Sequence, residues 1–312
     1  MSSEQVIALL APGQGSQTPG MLSPWLELPG AADRLAAWSD IAGLDLTRLG
    51  TTAEADEIKD TAITQPLIVA ATLLAFEELR SRVEIPADAV IAGHSIGEFA
   101  AAAMAGVLTA EDAIALAAVR GREMAAACEL EPTGMAALMR GTEEAILARL
   151  AELDLVPANR NGAGQIVAAG SLPALEKLAA EPPADTKVIT LKVAGAFHTH
   201  YMAPAQQALA AHAETLGAPA NPAFTLLSNR DGAAVTDGAE VLARLIDQVT
   251  NPVRWDRCMA TMAELGVDGI VEFPPAGALV GLAKRELKGT PTVAMKTPEN
   301  LDTVTDMIGS SA

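Results

Sequence analysis

Short β-rich runs alternate along this chain with Ala- and Leu-rich stretches of helical period, and few folds are open to a chain patterned in that way. Val6 to Ala11 and Ala89 to Ala92 read as strands, with helical stretches at Gln65 to Arg80, Ile96 to Ala105 and Asp112 to Ala127. The alternation predicts an α/β fold whose mostly parallel sheet is covered by helices. From Met135 the rhythm changes to strand (Met135 to Arg140), helix (Thr142 to Leu153), strand (Val156 to Ala158), strand (Gln165 to Ala169), helix (Pro173 to Ala180) and strand (Lys187 to Val193). This β-α-β-β-α-β order is that of a ferredoxin-like subdomain. Pro132 and Gly134 precede the block and Gly195 follows it, so the chain is expected to leave the main sheet near Glu131 and return near Gly195. The expected division is a core of residues 1–130 and 195–312 with residues 131–194 inserted, and an active site where the two parts meet. After the return the pattern gives a helix near Pro204 to Leu216, a strand Phe224 to Ser228 and helical segments to Leu265. A strand Gly269 to Phe273, a helix Ala278 to Leu287 and a last strand Thr292 to Met295 complete it.

Composition narrows the partners. The 312 residues carry a net charge of −18, which repels nucleic acid and anionic lipid at long range, so an anionic ligand needs a local cationic site. Cys128 and Cys258 sit in no CxxC or metal-spaced cluster, so they read as two buried free thiols, with neither a disulfide framework nor a zinc site expected. The longest uninterrupted apolar run, Phe99 to Leu108, is about half of what a bilayer helix needs, and no membrane span is expected. Met1 to Gln5 lacks the basic region of a signal peptide, which predicts a cytoplasmic protein.

Gly93-His94-Ser95-Ile96-Gly97 matches GxSxG, follows the apolar run Ala89 to Ala92 and leads at once into a helical stretch. In that context the glycines permit a sharp turn that exposes the Ser95 hydroxyl and aims the next backbone N–H groups at a reacting carbonyl. A serine needs a base, and four histidines are available. His94 adjoins the nucleophile, where the turn is expected to send its side chain to the opposite side, and His212 reads as a surface residue of an alanine-rich helix. His198 is favoured and His200 remains open, both in Gly195-Ala196-Phe197-His198-Thr199-His200, where small residues allow a close backbone approach.

Taken together, several segments resemble the malonyl-CoA:acyl carrier protein transacylases, the malonyl/acyltransferase family of fatty acid and polyketide synthesis. They are Ala11-Pro12-Gly13-Gln14-Gly15, Thr64-Gln65-Pro66, Gly93 to Glu98, Val119-Arg120-Gly121, Asn161 to Gln165, Gly195 to His198 and Asn251-Pro252-Val253-Arg254-Trp255. The resemblance runs from about Val6 to about Lys296 and implies an α/β-hydrolase-like core with a ferredoxin-like insertion. It implies that Ser95 carries the acyl group, that His198 moves the proton, and that the backbone N–H groups of Gln14 and Ile96 form the oxyanion hole. Arg120 would bind the free carboxylate of a malonyl group through two parallel charge-assisted bonds. Gln65, Met124 and Asn161 would line the pocket, and Phe197 would set its size limit, favouring malonyl over methylmalonyl. The last motif departs from one common form of the family, with Arg254 in place of glutamine. A structural salt bridge is the default reading of that side chain, and a contribution to carrier or coenzyme binding the alternative.

The implied reaction is ping-pong transfer from malonyl-CoA to the phosphopantetheine thiol of acyl carrier protein, with no metal, nucleotide or redox cofactor and with the enzyme acting as a monomer. Docking of an acidic carrier on an acidic enzyme calls for a local cluster of cations, for which Arg160, Lys192 and Lys284 are candidates. One alternative is a stand-alone acyltransferase of a polyketide pathway, using the same residues. Another is a serine thioesterase or esterase, which places its base late in the chain. Here no histidine follows His212.

Overall fold

The run VIALLA carries no polar side chain on either face, so a strand built from it needs cover on both sides. In the computed structural model, which describes residues 6–309, this run forms β1 (Val6–Ala11) in the middle of a five-stranded sheet. The opening segment Met1 to Gln5, on which the expectation about a signal peptide rested, lies outside the described residues. Helices α1 (Ala31–Ala42), α2 (Leu46–Thr51) and α3 (Thr61–Arg82) follow, then β2 (Val90–Gly93), α4 (Gly97–Met104) and α5 (Ala110–Cys128).

Helix α3 begins earlier than its apolar pattern predicts because the Asp60 carboxylate caps it, accepting from the Ala62 N–H at 2.8 Å. By length and composition its 22 residues are apolar enough to cross a membrane, yet 78 % of that window is buried inside the protein, where it packs against α4 and α5.

The chain then builds a separate antiparallel sheet from β3 (Thr133–Arg140), α6 (Glu143–Glu152), β4 (Val156–Gly162), β5 (Gln165–Ser171), α7 (Leu172–Ala180) and β6 (Thr186–Thr190). Its strand order, β4-β5-β3-β6, is ferredoxin-like. Strand β6 ends sooner than its sequence pattern: the Leu191 N–H makes a last bond to the Met135 carbonyl at 3.0 Å, and Leu191 and Val193 line a cleft.

The remaining elements are α8 (Ala203–Ala213), β7 (Thr225–Leu226), α9 (Gly238–Asp247), α10 (Trp255–Glu264), β8 (Val267–Glu272), α11 (Ala278–Glu286), β9 (Thr292–Ala294) and α12 (Leu301–Gly309). Strand β7 is two residues long instead of the expected five, because the chain turns back on itself at once: the Ser228 N–H donates to the Ala233 carbonyl. The main sheet has the order β7-β2-β1-β8-β9 and all its pairings are parallel. The antiparallel sheet is tied to the segment before α10 by a short parallel bridge, in which the Arg160 N–H donates to the Val253 carbonyl at 2.9 Å and the Val253 N–H to the Ala158 carbonyl at 2.8 Å.

Register fixes what stands at the carboxyl edge of the main sheet, the edge at which open α/β sheets place their ligands. Ala11 pairs with Gly93, and the His94 N–H donates to the Ala11 carbonyl at 3.0 Å, so the loop after β1 and the turn after β2 emerge side by side. A Cβ on Gly97 would stand 2.2 Å from the Ala11 oxygen, and one on Gly93 would stand 2.1 Å from the Gly97 carbonyl carbon. Both separations are far inside contact distance and both obstacles are backbone, so neither position accepts a side chain.

Gly97→Ala is therefore expected to lower the unfolding midpoint sharply and to abolish any reactivity of Ser95. Gly281→Ala, in the interior of α11 with nothing within 4 Å of the new carbon, is expected to be neutral or to stabilise by up to about 1 kcal/mol. Thermal or urea unfolding of the two variants checks the contrast.

Candidate active site

Ser95 follows the tight turn with φ at 54°, a left-handed conformation that a serine holds only when its surroundings enforce it. Asn229 supplies that enforcement: its Oδ1 accepts from the Ser95 N–H at 2.8 Å while its Nδ2 donates to the Gly93 carbonyl at 2.7 Å. The hydroxyl then points at a buried imidazole, with Ser95 Oγ 2.8 Å from His198 Nε2. On the far side of the ring, Nδ1 lies 2.8 Å from the Gln248 main-chain carbonyl, an acceptor only, so Nδ1 carries the proton and Nε2 is free to accept one. Among the described residues no carboxylate orients this histidine.

The approach of His198 depends on small residues, as its sequence suggests. A Cβ on Gly195 would stand 2.6 Å from Cys128 Sγ at the end of α5, and the Ala196 N–H is held by Thr133 Oγ1 at 3.0 Å. Burial, and after it the positive charge of Arg120, pushes the His198 imidazole down to about 3, so it is neutral at physiological pH.

Arg120 comes off the buried face of α5 and is 1 % exposed. Its Nη2 lies 3.2 Å from Ser95 Oγ, and the guanidinium stands over the Phe99 ring at 5.6 Å. Its oxygen partners are neutral: Nη1 donates to Gln65 Oε1 and Nη2 to Gln248 Oε1, each at 2.7 Å. Burial pulls its pKa down to about 9 while the nearby Glu98 carboxylate pulls the other way, leaving the guanidinium charged at pH 7. A cation held by amides keeps its attraction for an incoming anion. A bound carboxylate would already have neutralised it.

These groups line a cleft between the two sheets, walled from the core by Gln14, Gln65, His94, Met124, Phe197 and His198, and from the antiparallel sheet by Met135, Asn159 and Val167. Gln14 is anchored by its side chain, Nε2 donating to Thr61 Oγ1 at 3.3 Å. Among the described residues, no hydrogen bond is made by the backbone N–H of Gln14 or of Ile96. Two placements differ from expectation. His94 does not turn away from the site but lines the cleft, with Nε2 2.8 Å from Asn161 Oδ1 and its ring edge-on to Trp255 at 5.6 Å. Asn161, expected on the pocket wall, reaches the site through that bond, and Asn159 forms the wall in its place.

The other histidines stand apart. His200 is exposed against Tyr201, and His212 is half-buried instead of on the surface. Cys258 is buried, and Cys128 is half-buried with its thiol pushed up to about 11 by burial. Arg254 makes a bidentate pair with Asp256 at 3.0 and 2.7 Å. Of the candidate docking cations, Arg160 sits beside Asn159 and pairs with Glu143, whereas Lys192 and Lys284 are exposed. Among the described residues, no group of three or more His, Cys, Asp or Glu is placed to hold a metal.

Sequence reasoning assigned no role to Gln248, Asn229 or Glu98. Gln248 touches Ser95, His198, Arg120 and Glu98 at once. Nothing in the local pattern marks Gln248 or Asn229, and Glu98 is visible only as the residue closing the GxSxG turn.

An α/β core that presents a serine and a histidine at its sheet edge, beside a buried cation, is built for acyl transfer. Residues 9–302 match the acyl transferase domain family, and the chain belongs to it. A malonyl CoA-acyl carrier protein transacylase of Mycobacterium bovis is 62% identical over 303 residues, covering 97% of this chain and all of that one. The crystal structure of MCAT from Mycobacterium tuberculosis superposes with a TM-score of 0.93 at 62% identity, over 96% of this chain and 100% of that one. A malonyl-transacylase in complex with a type II PKS acyl-carrier protein superposes with a TM-score of 0.90 at 29% identity, over 97% and 100% of the two chains.

The state of the imidazole can be checked directly. NMR of protein labelled at histidine Cε1 is expected to show the His198 signal stationary between pH 5 and pH 8, and Arg120→Ala is expected to move its titration upward. A His198 midpoint near the ordinary 6.5 in the parent protein would contradict the geometry.

Proposed function

We propose that this protein transfers a malonyl group from malonyl-CoA to the phosphopantetheine thiol of an acyl carrier protein, through a malonyl ester on Ser95, and so supplies fatty acid synthesis. The observation that carries the reading is the Arg120 guanidinium, buried, held by neutral amides and 3.2 Å from the Ser95 hydroxyl. An acyl group ending in a carboxylate fits that arrangement. An uncharged one leaves a buried cation unanswered. The names of the relatives at 62% identity support the same substrate pair, and the solved complex of a related transacylase supports the carrier.

In this reading Ser95 Oγ attacks the thioester carbonyl as His198 Nε2 takes its proton. The backbone N–H groups of Gln14 and Ile96 receive the oxyanion. The C–S bond breaks, His198 returns the proton to the departing coenzyme A thiolate, and the malonyl ester remains on Ser95. The carrier thiol then gives its proton to His198 and attacks the ester. The C–O bond breaks and the proton passes back to Ser95 Oγ, which gives ping-pong kinetics. Protein groups suffice for every proton and charge, so no metal, nucleotide or redox cofactor is called for. Residues 131–194 form the inserted lobe in this scheme, closing one side of the cleft over a core of residues 1–130 and 195–312. The compartment it assigns is the cytoplasm.

Gln65 and Met124 shape the malonyl pocket, Asn161 steadies its rim through His94, and Phe197 limits its size. The carbonyl partner of His198 sets this site apart from the hydrolase alternative, in which a carboxylate holds the base.

Intact-protein mass spectrometry after incubation with malonyl-CoA is expected to show one malonyl adduct on the parent and none on Ser95→Ala. An adduct that survives the substitution would remove the reading. Phe197→Ser is expected to narrow the preference for malonyl-CoA over methylmalonyl-CoA, a gap that one methyl group sets at about 1 to 3 kcal/mol. Comparing kcat/KM for the two thioesters checks it.

A further inference from the structure

Glu98 is buried within the fold, one turn beyond the nucleophile, and the mechanism above makes no use of it. Its Oε1 accepts from the Asn229 N–H at 2.7 Å and its Oε2 from the Gln248 Nε2 at 2.5 Å. The second hydrogen of the same Gln248 amide goes to the Ser95 main-chain carbonyl at 2.8 Å. Gln248 Oε1, left facing the other way, accepts from Arg120 Nη2 at 2.7 Å.

An amide has one accepting end and one donating end, and the chemistry around it decides which end goes where. Burial raises the Glu98 pKa to about 7, so at pH 8 it is a carboxylate. A carboxylate and a main-chain carbonyl can only accept, so together they claim both hydrogens of Gln248. Turned over, the amide would set its NH2 against the Arg120 guanidinium and its oxygen against two other oxygens. We propose that Glu98 is a positioning residue: by accepting from Gln248 it fixes the sense of that amide, so that an oxygen and not an NH2 group meets Arg120 and holds its fork toward the acyl carboxylate. The inference rests on the reading of Arg120 as the receptor for that carboxylate.

Glu98→Gln tests it sharply. The Asn229 N–H can only donate, so it claims the oxygen of the new amide and turns the new NH2 toward Gln248. Two NH2 groups then face each other, and Gln248 must either turn over or lose the bond. The charge change alone pushes the opposite way. Removing a negative group near Arg120 would strengthen its pull on malonyl.

Acylation of Ser95 by malonyl-CoA and by acetyl-CoA is measured at pH 8 in the parent, Glu98→Gln, Glu98→Asp and Arg120→Ala. Glu98→Gln is expected to lower the malonyl-to-acetyl ratio of kcat/KM about tenfold, chiefly through a higher KM for malonyl-CoA. Glu98→Asp keeps an accepting carboxylate and is expected to recover part of that ratio. A Glu98→Gln ratio that holds or rises, or a proportional loss of both reactions, overturns the role of Glu98 and leaves Arg120 in place. An Arg120→Ala variant that keeps the parental ratio removes the receptor reading, and this inference with it. If Glu98→Gln does not fold, Gln248→Met carries the test, since it abolishes the oriented amide. A parental ratio in that variant overturns the proposal.

Discussion

The close passage of the elbow over the end of the first strand is the constraint on which the site depends. With no room for a single carbon between Gly97 and the Ala11 oxygen, α4 starts directly above β1, and the loop carrying Gln14 has nowhere to go but alongside Ser95. The strain of a serine at φ 54° is met by Asn229, which clamps both the Ser95 N–H and the Gly93 carbonyl. That asparagine is itself fixed through its own N–H by Glu98. Backbone sterics at the sheet edge and a polar network behind it thus hold one hydroxyl between them.

Burying a guanidinium is costly, and the fold meets that cost without cancelling the charge. Gln65 from α3 and Gln248 from the segment after α9 give it two amide oxygens, and the Phe99 face lies against it. Glu98 contributes a negative charge at second hand, with Gln248 standing between the two. The positive field that remains acts on His198, whose imidazole is held well below its ordinary range first by burial and then by Arg120. Under the proposed reading one cation therefore has two effects: it is the receptor for an anion, and it adds to the burial that keeps the neighbouring imidazole unprotonated.

The local pattern was a good guide wherever one rule of steric or periodic origin decides the outcome. Strand and helix alternation locates β1, β2, α4 and α5, and the β-α-β-β-α-β rhythm gives the second sheet with its strand order. The meeting of Ser95 with His198 could be anticipated, because a GxSxG turn and a histidine after small residues each announce a close backbone approach. What stayed hidden was decided by tertiary contact. Gln248 acts partly through its main chain, which any residue type would supply, and Asn229 acts from the far side of a two-residue strand. Turn geometry alone points the His94 ring away from the site, and Trp255 and Asn161, distant in sequence, draw it into the cleft. In α3 the threonines and Gln65 interrupt an apolar run without interrupting a buried helix.

Among the described residues it is a main-chain carbonyl and not a carboxylate that holds His198, and this suits a transferase. In the proposed reaction a carboxylate partner would stabilise the imidazolium formed as Ser95 attacks, whereas a carbonyl partner beside a guanidinium would stabilise it less and favour prompt return of the proton. Under the proposed mechanism the substrate supplies part of what is missing. A malonyl carboxylate seated on Arg120 would offset the positive charge facing the imidazole, raising the basicity of His198 when the correct acyl group is in place. An uncharged acyl group would leave the base weak and the cation unpaired. Selectivity would then arise in the proton transfer as well as in binding. In such a site the same ion pair that selects the acyl group also tunes the chemistry that moves it.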